Sequence, residues 1–279
     1  KEELTLENTE SIKVKESSSS NKNKSKYVLE FITEKIFMIS AFVAVISLLL
    51  IIGFVFYKGL MPFATEGYSF IDFIFGTEWL PSSKEFGIGA MIVTSMVATV
   101  GALIIGVPIG ILAAIFIAEI CPKKYARVIS TAVELLAGIP SVLYGIFGLA
   151  VIVPAIQTVL SLPKGQSLLA VIIVLAIMML PTIISLSETS IRAVPKAYKE
   201  GSLALGASKI ETIFKVILPA AKSGILAAVV LGIGRALGET MAVILVAGNS
   251  PVMPSSLMDS VRPLTTNIAL EMGYAFGTH

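Results

Sequence analysis

Two side chains of opposite charge, Arg235 and Glu239, lie in the otherwise apolar run Ser223–Ala247. On a continuous helix, a spacing of four residues places both on one face, close enough to form an ion pair. An arginine guanidinium presents five donors in a planar fork, which suits a tetrahedral oxyanion as well as a carboxylate. The residues therefore allow two interpretations: a salt bridge that neutralises itself inside a helix bundle, or a contact for an anion.

A second segment with informative spacing, Glu200–Pro219, connects two apolar runs. Its apolar residues recur at every third or fourth position, which predicts two short amphipathic helices. Gly206 permits a sharp turn between them, and Pro219 suits the first turn of the helix that follows. An apolar face on a connecting segment needs a partner, which is the lipid surface, the rest of the bundle or another protein.

The elements that position these residues are helices that cross a membrane. The chain has 279 residues, of which 55% are hydrophobic and 14% charged, whereas a soluble domain is about 25% charged. Crossing a bilayer takes about 20 apolar residues. Five runs qualify: Ile36–Tyr57, Phe86–Ala118, Val128–Pro163, Gly165–Ser187 and Ser223–Ala247. We therefore predict an all-α integral membrane protein with five spans, and we expect a sixth span that the given sequence does not contain.

Several kinds of function are excluded by composition. One Cys and one His allow neither a disulfide framework nor a multi-ligand Cys/His metal site. The net charge of +2 gives no indication of nucleic-acid binding. No group of side chains suggests a nucleophile with its base, so we predict no enzymatic activity and no cofactor.

The predicted organisation has three parts. Residues 1–35 are polar and low in complexity, which predicts a disordered tail. Residues 36–88 hold the first span and an external loop, and residues 89–279 form the transmembrane core. Lys and Arg concentrate in the tail and in two later connections, 119–127 and 188–222. Because positively charged segments stay in the cytoplasm, we expect a multi-pass protein of the cell membrane with a cytoplasmic N-terminus.

The connection before the fifth span resembles the EAA loop of ABC importer permeases, in which Glu-Ala-Ala, Gly and Ile-x-Leu-Pro precede the penultimate span. Glu200, Gly206, Leu218 and Pro219 stand at the matching positions. The resemblance implies a helix, in roughly 193–213, that docks on an ATPase subunit. The residues to which it assigns this contact are Glu200, Gly201, Ser202, Leu203, Ala204, Gly206, Ala207 and Ser208. The chain has no Gly-x-x-x-x-Gly-Lys-[Ser/Thr] phosphate loop, so ATP hydrolysis is expected from a separate chain.

The sequence Gly-Arg-Ala-Leu-Gly-Glu-Thr-Met-Ala-Val at Gly234–Val243 is similar to the fifth-span signature of phosphate importer permeases of the PstC type. The segment Glu134–Leu149 resembles the third-span motif of the same family. This resemblance implies the type I ABC importer permease fold and a substrate pathway that includes Arg235, Glu239 and Thr240. It also implies three kinds of partner: a second permease subunit of the PstA type, a dimer of ATPase subunits and an external phosphate-binding protein.

The residues leave alternatives open. The cargo is inorganic phosphate by resemblance alone, and a permease for another oxyanion, such as molybdate or sulfate, would need the same arginine. An ion-coupled secondary transporter could use Arg235 and Glu239 to relay charge, but that interpretation leaves the segment Glu200–Pro219 unexplained.

Overall fold

The computed structural model describes residues 2–65 and 67–273. Contacts between residues divide the chain into two units, 1–68 and 69–279. The division falls earlier than the predicted boundary after residue 88. The reason is that the segment after Tyr68 pairs with the start of the next span: the Ile88 amide donates to the Phe73 carbonyl at 2.8 Å, and the Gly89 amide donates to the Gly76 carbonyl at 2.8 Å.

The first unit is one helix, α1 (Glu2–Thr65). It contains the predicted first span, and its apolar part, Leu29–Thr65, is long enough to cross a membrane. The helix also runs through the segment for which the composition predicts disorder. That segment holds no Gly or Pro that would interrupt a helix, and Lys and Glu are good helix formers.

The second unit begins with a short helix and a two-stranded antiparallel hairpin, in which Trp79 pairs with Phe86. Ten helices and their extensions follow in the described residues. The elements are α2 (Phe70–Phe75), β1 (Trp79–Leu80), β2 (Glu85–Phe86), α3 (Gly89–Ile115), α4 (Lys123–Ala137), α5 (Ser141–Phe147), α6 (Val153–Val159), α7 (Leu168–Arg192), α8 (Lys196–Ala204), α9 (Lys209–Thr212), α10 (Leu218–Leu237), α11 (Met241–Val246) and α12 (Leu264–Glu271). Wide π-type turns join α3 to Cys121, α5 to α6, and α9 to α10.

Five helical segments of the described chain are long and apolar enough to cross a membrane, which confirms the predicted number. They are Leu29–Thr65, Gly89–Ile120, Ser141–Val159, Leu168–Arg192 and Lys209–Leu237.

Two of the predicted spans are interrupted in the structure. The run Val128–Pro163 is not one helix: α4 ends at Ala137, and α5 starts after Pro140. Pro140 accounts for this break, because a proline lacks the amide that would continue the helix. The run Ser223–Ala247 is also divided, since α10 ends at Leu237 and α11 starts only at Met241.

Of the two short helices predicted before the fifth span, the structure has only the first as a separate helix. Helix α8 is separate, but α9 continues through a π-type turn into α10 as one 29-residue helix, Lys209–Leu237. The turn between α8 and α9 contains Gly206 at φ +87, a conformation that glycine adopts without strain.

Helix α7 is the centre of the second unit, and its side chains supply half of the buried residues in the main hydrophobic cluster. Helix α3 packs closely against it through glycines. A Cβ placed on Gly101 would lie 2.7 Å from Cδ1 of Ile172, and one on Gly110 would lie 2.7 Å from Cγ2 of Ile183. Small residues at such contacts let helix backbones approach within a membrane, where apolar burial gives no driving force between helices.

Candidate functional site

The break in the fifth span separates the two charged residues that the sequence predicts to be neighbours. Helix α10 ends at Leu237, with Gly238 as its C-terminal cap. Arg235 therefore belongs to α10, whereas Glu239 lies in the three-residue gap before α11. The described ion pairs include neither of them. The salt bridge, one of the two interpretations that the spacing allowed, therefore does not form, because glycine is a poor helix former and the helix does not reach Glu239.

Arg235 contacts the neighbouring span instead. Its Nη1 donates a hydrogen bond to Oγ1 of Thr182 at 3.4 Å. Thr182 lies close to the midpoint of α7 (Leu168–Arg192), so the guanidinium lies beside the middle of that span. In the described part of the chain no carboxylate is within ion-pair distance of it.

Glu239 holds the start of the next helix. Its Oε1 accepts a hydrogen bond from the Ala242 amide at 3.0 Å, which satisfies one of the free amides at the beginning of α11. Its own backbone carbonyl accepts a hydrogen bond from Oγ1 of Thr265 at 2.8 Å. The break is therefore fixed at both sides, by a side-chain cap within the segment and by a residue from α12.

A cleft opens beside this break, between α3, α7, the fifth span and the start of α12. Its lining residues are Ser95, Ala98, Thr99, Val171, Leu175, Ala236, Leu237, Glu239, Val243, Pro263 and Thr265. Glu239 is the one charged residue among them, and the other polar side chains are hydroxyls. Leu175 precedes Thr182 by seven residues on α7, so the cleft and the Arg235 guanidinium are about 10 Å apart along the helix axis.

Thr240, the third predicted pathway residue, lies outside this lining. It is the cap residue at the start of α11, and its hydroxyl bonds locally to the Gly238 carbonyl at 3.4 Å. At the break in the fifth span, Glu239 lines the cleft, whereas the Thr240 side chain bonds only within the turn between α10 and α11.

The third span also contributes a break near this region. The Tyr144 hydroxyl donates to the Leu136 carbonyl at 2.7 Å, bridging the gap between α4 and α5. Leu136 is in the last turn of α4, where carbonyls lack helical partners. Gly145 allows α5 to lie against α11, since a Cβ there would come within 2.7 Å of the Ala242 Cα. Two broken helices thus meet beside the cleft.

The predicted ATPase-coupling segment projects from the opposite end of α7. Of its eight predicted residues, six are exposed, and only Ser202 and Ala207 are partly buried. The Ser202 hydroxyl lies 2.9 Å from that of Thr212, which joins α8 to α9. Ser208 and Glu211 form a reciprocal cap at the start of α9.

One exposed residue of this segment was not predicted. Leu205, between α8 and Gly206, is 91% exposed.

Ion pairs attach the coupling segment to the bundle. Lys199 of α8 pairs with Glu119 at the end of the second span. One turn before α8, Glu188 and Arg192 of α7 form an ion pair at 2.8 Å, and the Ser130 hydroxyl of α4 lies 2.9 Å from each oxygen of Glu188. Arg192 Nη2 also donates to the Ile117 carbonyl at 3.1 Å.

Sequence reasoning missed the Glu188 cluster and the hydroxyl residues near the break. The i, i+4 spacing of Glu188 and Arg192 was a usable signal, because a charge at the end of an apolar run needs a partner. Thr99 and Thr182 gave only a weak signal of a site in the sequence, since hydroxyls in apolar helices commonly bond to their own backbone.

Comparisons with known proteins agree with this architecture. Residues 106–277 match the family described as "Binding-protein-dependent transport system inner membrane component". The "Probable ABC transporter permease protein YqgH" of Bacillus subtilis is 45% identical over 219 residues, covering 78% of this chain and 71% of that protein. The "Phosphate transport system permease protein PstC" of Mesorhizobium japonicum is 36% identical over 269 residues, covering 88% of this chain and 81% of that protein. A solved structure of the MetNI methionine ABC transporter in an inward-facing conformation aligns with a TM-score of 0.49 and 21% identity, covering 69% of this chain and 82% of that one.

Proposed function

The chain belongs to the family of binding-protein-dependent transport system inner membrane components, and from that premise we propose that it is the permease subunit of an ATP-driven importer of inorganic phosphate. Relatives named as phosphate transport permeases are 35–38% identical to it over most of their length. The chain itself performs no hydrolysis; it provides half of a path through the membrane.

The observation that carries the proposal is the position of Arg235. A charged side chain at the centre of a bilayer costs about 2.5–3.5 kcal/mol on insertion scales. One long hydrogen bond to Thr182 does not offset that, and no carboxylate of the described chain neutralises the guanidinium. An arginine left in this state favours an incoming anion, and its planar fork matches the oxygens of a tetrahedral one.

In this proposal the path has two positions. With a cytoplasmic N-terminus, α3 and α7 start at the external side, so the cleft at Glu239 is the outer position and the Arg235 guanidinium is the inner one. Phosphate near neutral pH still carries a proton, so its hydroxyl can donate to Glu239 at the outer position, and Arg235 holds its charge at the inner one. Sulfate has no such donor, and a site with a buried acceptor discriminates against it.

The remaining parts of the importer are separate chains. A second permease subunit completes the path, two ATPase subunits bind at the cytoplasmic side, and an external binding protein delivers phosphate. The segment from α8 to α9, with the eight coupling residues predicted from the sequence, receives the motion of the ATPase. The pairs Lys199–Glu119 and Glu188–Arg192 connect this segment to the spans.

The test of the proposal is uptake of radiolabelled phosphate by energised cells at low external phosphate. It compares wild-type cells, a strain that lacks the gene, and that strain carrying the full-length gene or its Arg235→Ala variant. We expect uptake to be lost in the deletion, restored only by the wild-type gene and unaffected by excess unlabelled sulfate. Unchanged uptake in the deletion, in a strain without another high-affinity system, would refute the phosphate assignment. Competition by sulfate or molybdate would favour a permease for another oxyanion.

Glu239→Gln tests the acceptor role separately. The amide oxygen can still cap α11 by accepting from the Ala242 amide, so the fold is preserved, but the carboxylate charge is gone. We expect phosphate uptake to fall about tenfold, the effect of one hydrogen bond to a charged group. Normal uptake by Glu239→Gln would show that Glu239 only supports the turn.

A further inference from the structure

Within the cleft beside the fifth-span break, Thr99 of α3 differs from every other hydroxyl residue of the lining. Its side chain is 5% exposed, and it lines the cleft together with Glu239. Its hydroxyl makes no hydrogen bond with any group in the described part of the chain. The Thr99 hydroxyl is not among the fully enclosed side-chain atoms that lack a partner, so it reaches the cleft and is open to a ligand there.

The other hydroxyls of the lining are already satisfied. The Ser95 hydroxyl donates to the Met91 carbonyl at 2.8 Å and accepts from the Leu264 amide at 3.0 Å. The Thr265 hydroxyl donates to the Glu239 carbonyl at 2.8 Å. Thr99 is therefore the hydroxyl donor that the cleft leaves for a ligand.

Threonine in a helix usually avoids this situation by donating to the carbonyl four residues earlier. Thr94, one and a half turns before Thr99 on the same helix, does so: its hydroxyl donates to the Ala90 carbonyl at 2.8 Å. Thr94 is fully buried and is not part of the cleft lining. The two threonines thus share a helix and a buried environment but differ in whether the hydroxyl faces the path.

We propose that the Thr99 hydroxyl is a hydrogen-bond donor to the transported anion at the outer position of the path. The inference rests on the proposed function, since it assigns a further residue to the same path. Glu239 still has its Oε2 free of donors in the described chain, while Oε1 caps α11. We place a protonated oxyanion between these two groups: its P–OH donates to Glu239 Oε2, and one of its charged oxygens accepts from Thr99.

This arrangement makes Thr99 a specificity-determining residue. A carboxylate alone would repel any anion, and the hydroxyl of Thr99 supplies an attraction that requires an acceptor oxygen beside the protonated one. An anion with no proton gains the contact to Thr99 but meets the bare carboxylate of Glu239, so the pair of groups selects the protonated tetrahedral anion.

The first experiment measures the initial rate of radiolabelled phosphate uptake by proteoliposomes that contain the complete importer, with ATP and saturating external binding protein. Thr99→Val keeps the shape of the side chain and removes the donor, so we expect the rate to fall about tenfold. Thr99→Ser keeps the donor and should stay within about twofold of wild type. Thr94→Val is the matched control, because it removes a hydroxyl from the same helix away from the cleft, and it should also stay within about twofold.

Two outcomes would overturn the inference alone: a wild-type rate for Thr99→Val, or an equal loss for Thr94→Val, while the wild-type importer moves phosphate. A wild-type importer that moves no phosphate would instead overturn the proposed function, and the inference with it.

A second experiment tests directly whether phosphate contacts the side chain at position 99. Cys121 is the only cysteine of the chain, so Thr99→Cys in a Cys121→Ser background gives a single thiol in the cleft. We expect phosphate, but not sulfate, to slow its reaction with methyl methanethiosulfonate in the transporting complex. Thr94→Cys in the same background should show no dependence on phosphate. A reaction rate at Thr99→Cys that phosphate does not change, including no reaction at all, would count against the inference, because the position would not face the path.

Discussion

Two pairs of one glutamate and one arginine, each four residues apart in sequence, lie on neighbouring helices of this protein. One pair forms an ion pair and the other does not. Glu188 and Arg192 are four residues apart on α7 and form an ion pair at 2.8 Å. Arg235 and Glu239 are also four residues apart, but they form none, since α10 ends at Leu237. The first pair neutralises its own charges at the end of a span. The second leaves the Arg235 guanidinium beside the middle of α7 and the Glu239 carboxylate in a cleft.

The difference shows that spacing predicts a pair only where the helix continues. Glu188 precedes Arg192, the order that agrees with the helix dipole, and no glycine lies between them. Between Arg235 and Glu239 stands Gly238, and the order is reversed. The pair that forms stabilises the bundle beside the coupling segment, and the pair that does not form leaves two groups that can bind a substrate.

The largest effect is expected from Arg235→Ala. Transport should fall on the order of 100-fold, because the anion loses a charged donor at membrane depth, while the apparent unfolding temperature of the purified complex stays at or above the wild-type value, since the variant removes an unpaired charge. Uptake and thermal unfolding in detergent measure the two quantities, with Thr182→Val as a control that removes only the present hydrogen-bond partner. A fall in unfolding temperature as large as the loss of transport would mean that Arg235 is a structural residue like Arg192.

Arg192→Ala should show the reverse behaviour. Glu188 is 8% exposed, so loss of its cation leaves a buried carboxylate with only Ser130 as a donor. Arg192 is itself half-exposed, so we expect a destabilisation on the order of 2 kcal/mol, below the value for a fully buried pair.

Thermal unfolding of the purified complex checks this, and Arg192→Lys, which keeps the charge but not the bond to the Ile117 carbonyl, should recover part of the loss. A wild-type unfolding temperature for Arg192→Ala would remove the distinction between the two pairs.

Gly238→Ala tests the cause of the difference. Alanine favours the helix over glycine by about 1 kcal/mol, so α10 should extend toward Glu239 and transport should fall roughly fivefold. The only atom close to a new Cβ there is the Gly234 carbonyl oxygen at 3.3 Å. Gly234→Ala is the matched control, because no atom lies within 4 Å of its Cβ position and it is inside the helix. Equal uptake by Gly238→Ala and wild type would show that Gly238 does not set the break.

The smallest effect is expected at a third pair with this spacing. Glu211 and Lys215 form an ion pair at 3.2 Å, with side chains that are 49% and 73% exposed. Exposed pairs contribute little because water and salt screen them. Lys215→Ala should therefore leave both thermal unfolding and uptake unchanged, in low salt as well as in high salt. A clear loss of uptake without loss of stability would instead place Lys215 in the contact with the ATPase.

Much of the architecture could be predicted because it depends on local composition. Apolar runs of span length predicted the correct number of helices that can cross a membrane. The turn at Gly206 and the helix before it were also predicted, since their signals are a glycine and a repeat of apolar residues. The fifth-span break was missed because Gly238 is one of several glycines in that span, and a single glycine does not by itself end a membrane helix.

The sequence by itself determined that this chain crosses the membrane five times within the described residues, carries an arginine at membrane depth and presents a short helical segment before the fifth span. Only the tertiary structure decided which polar groups meet. Glu239 bonds to Ala242 and Thr265 rather than to Arg235, and Thr99 keeps a free hydroxyl while Thr94 does not. The physical reason is that hydropathy is summed over a whole run, whereas a hydrogen bond depends on where one helix ends and which side chains of other helices lie within about 3 Å.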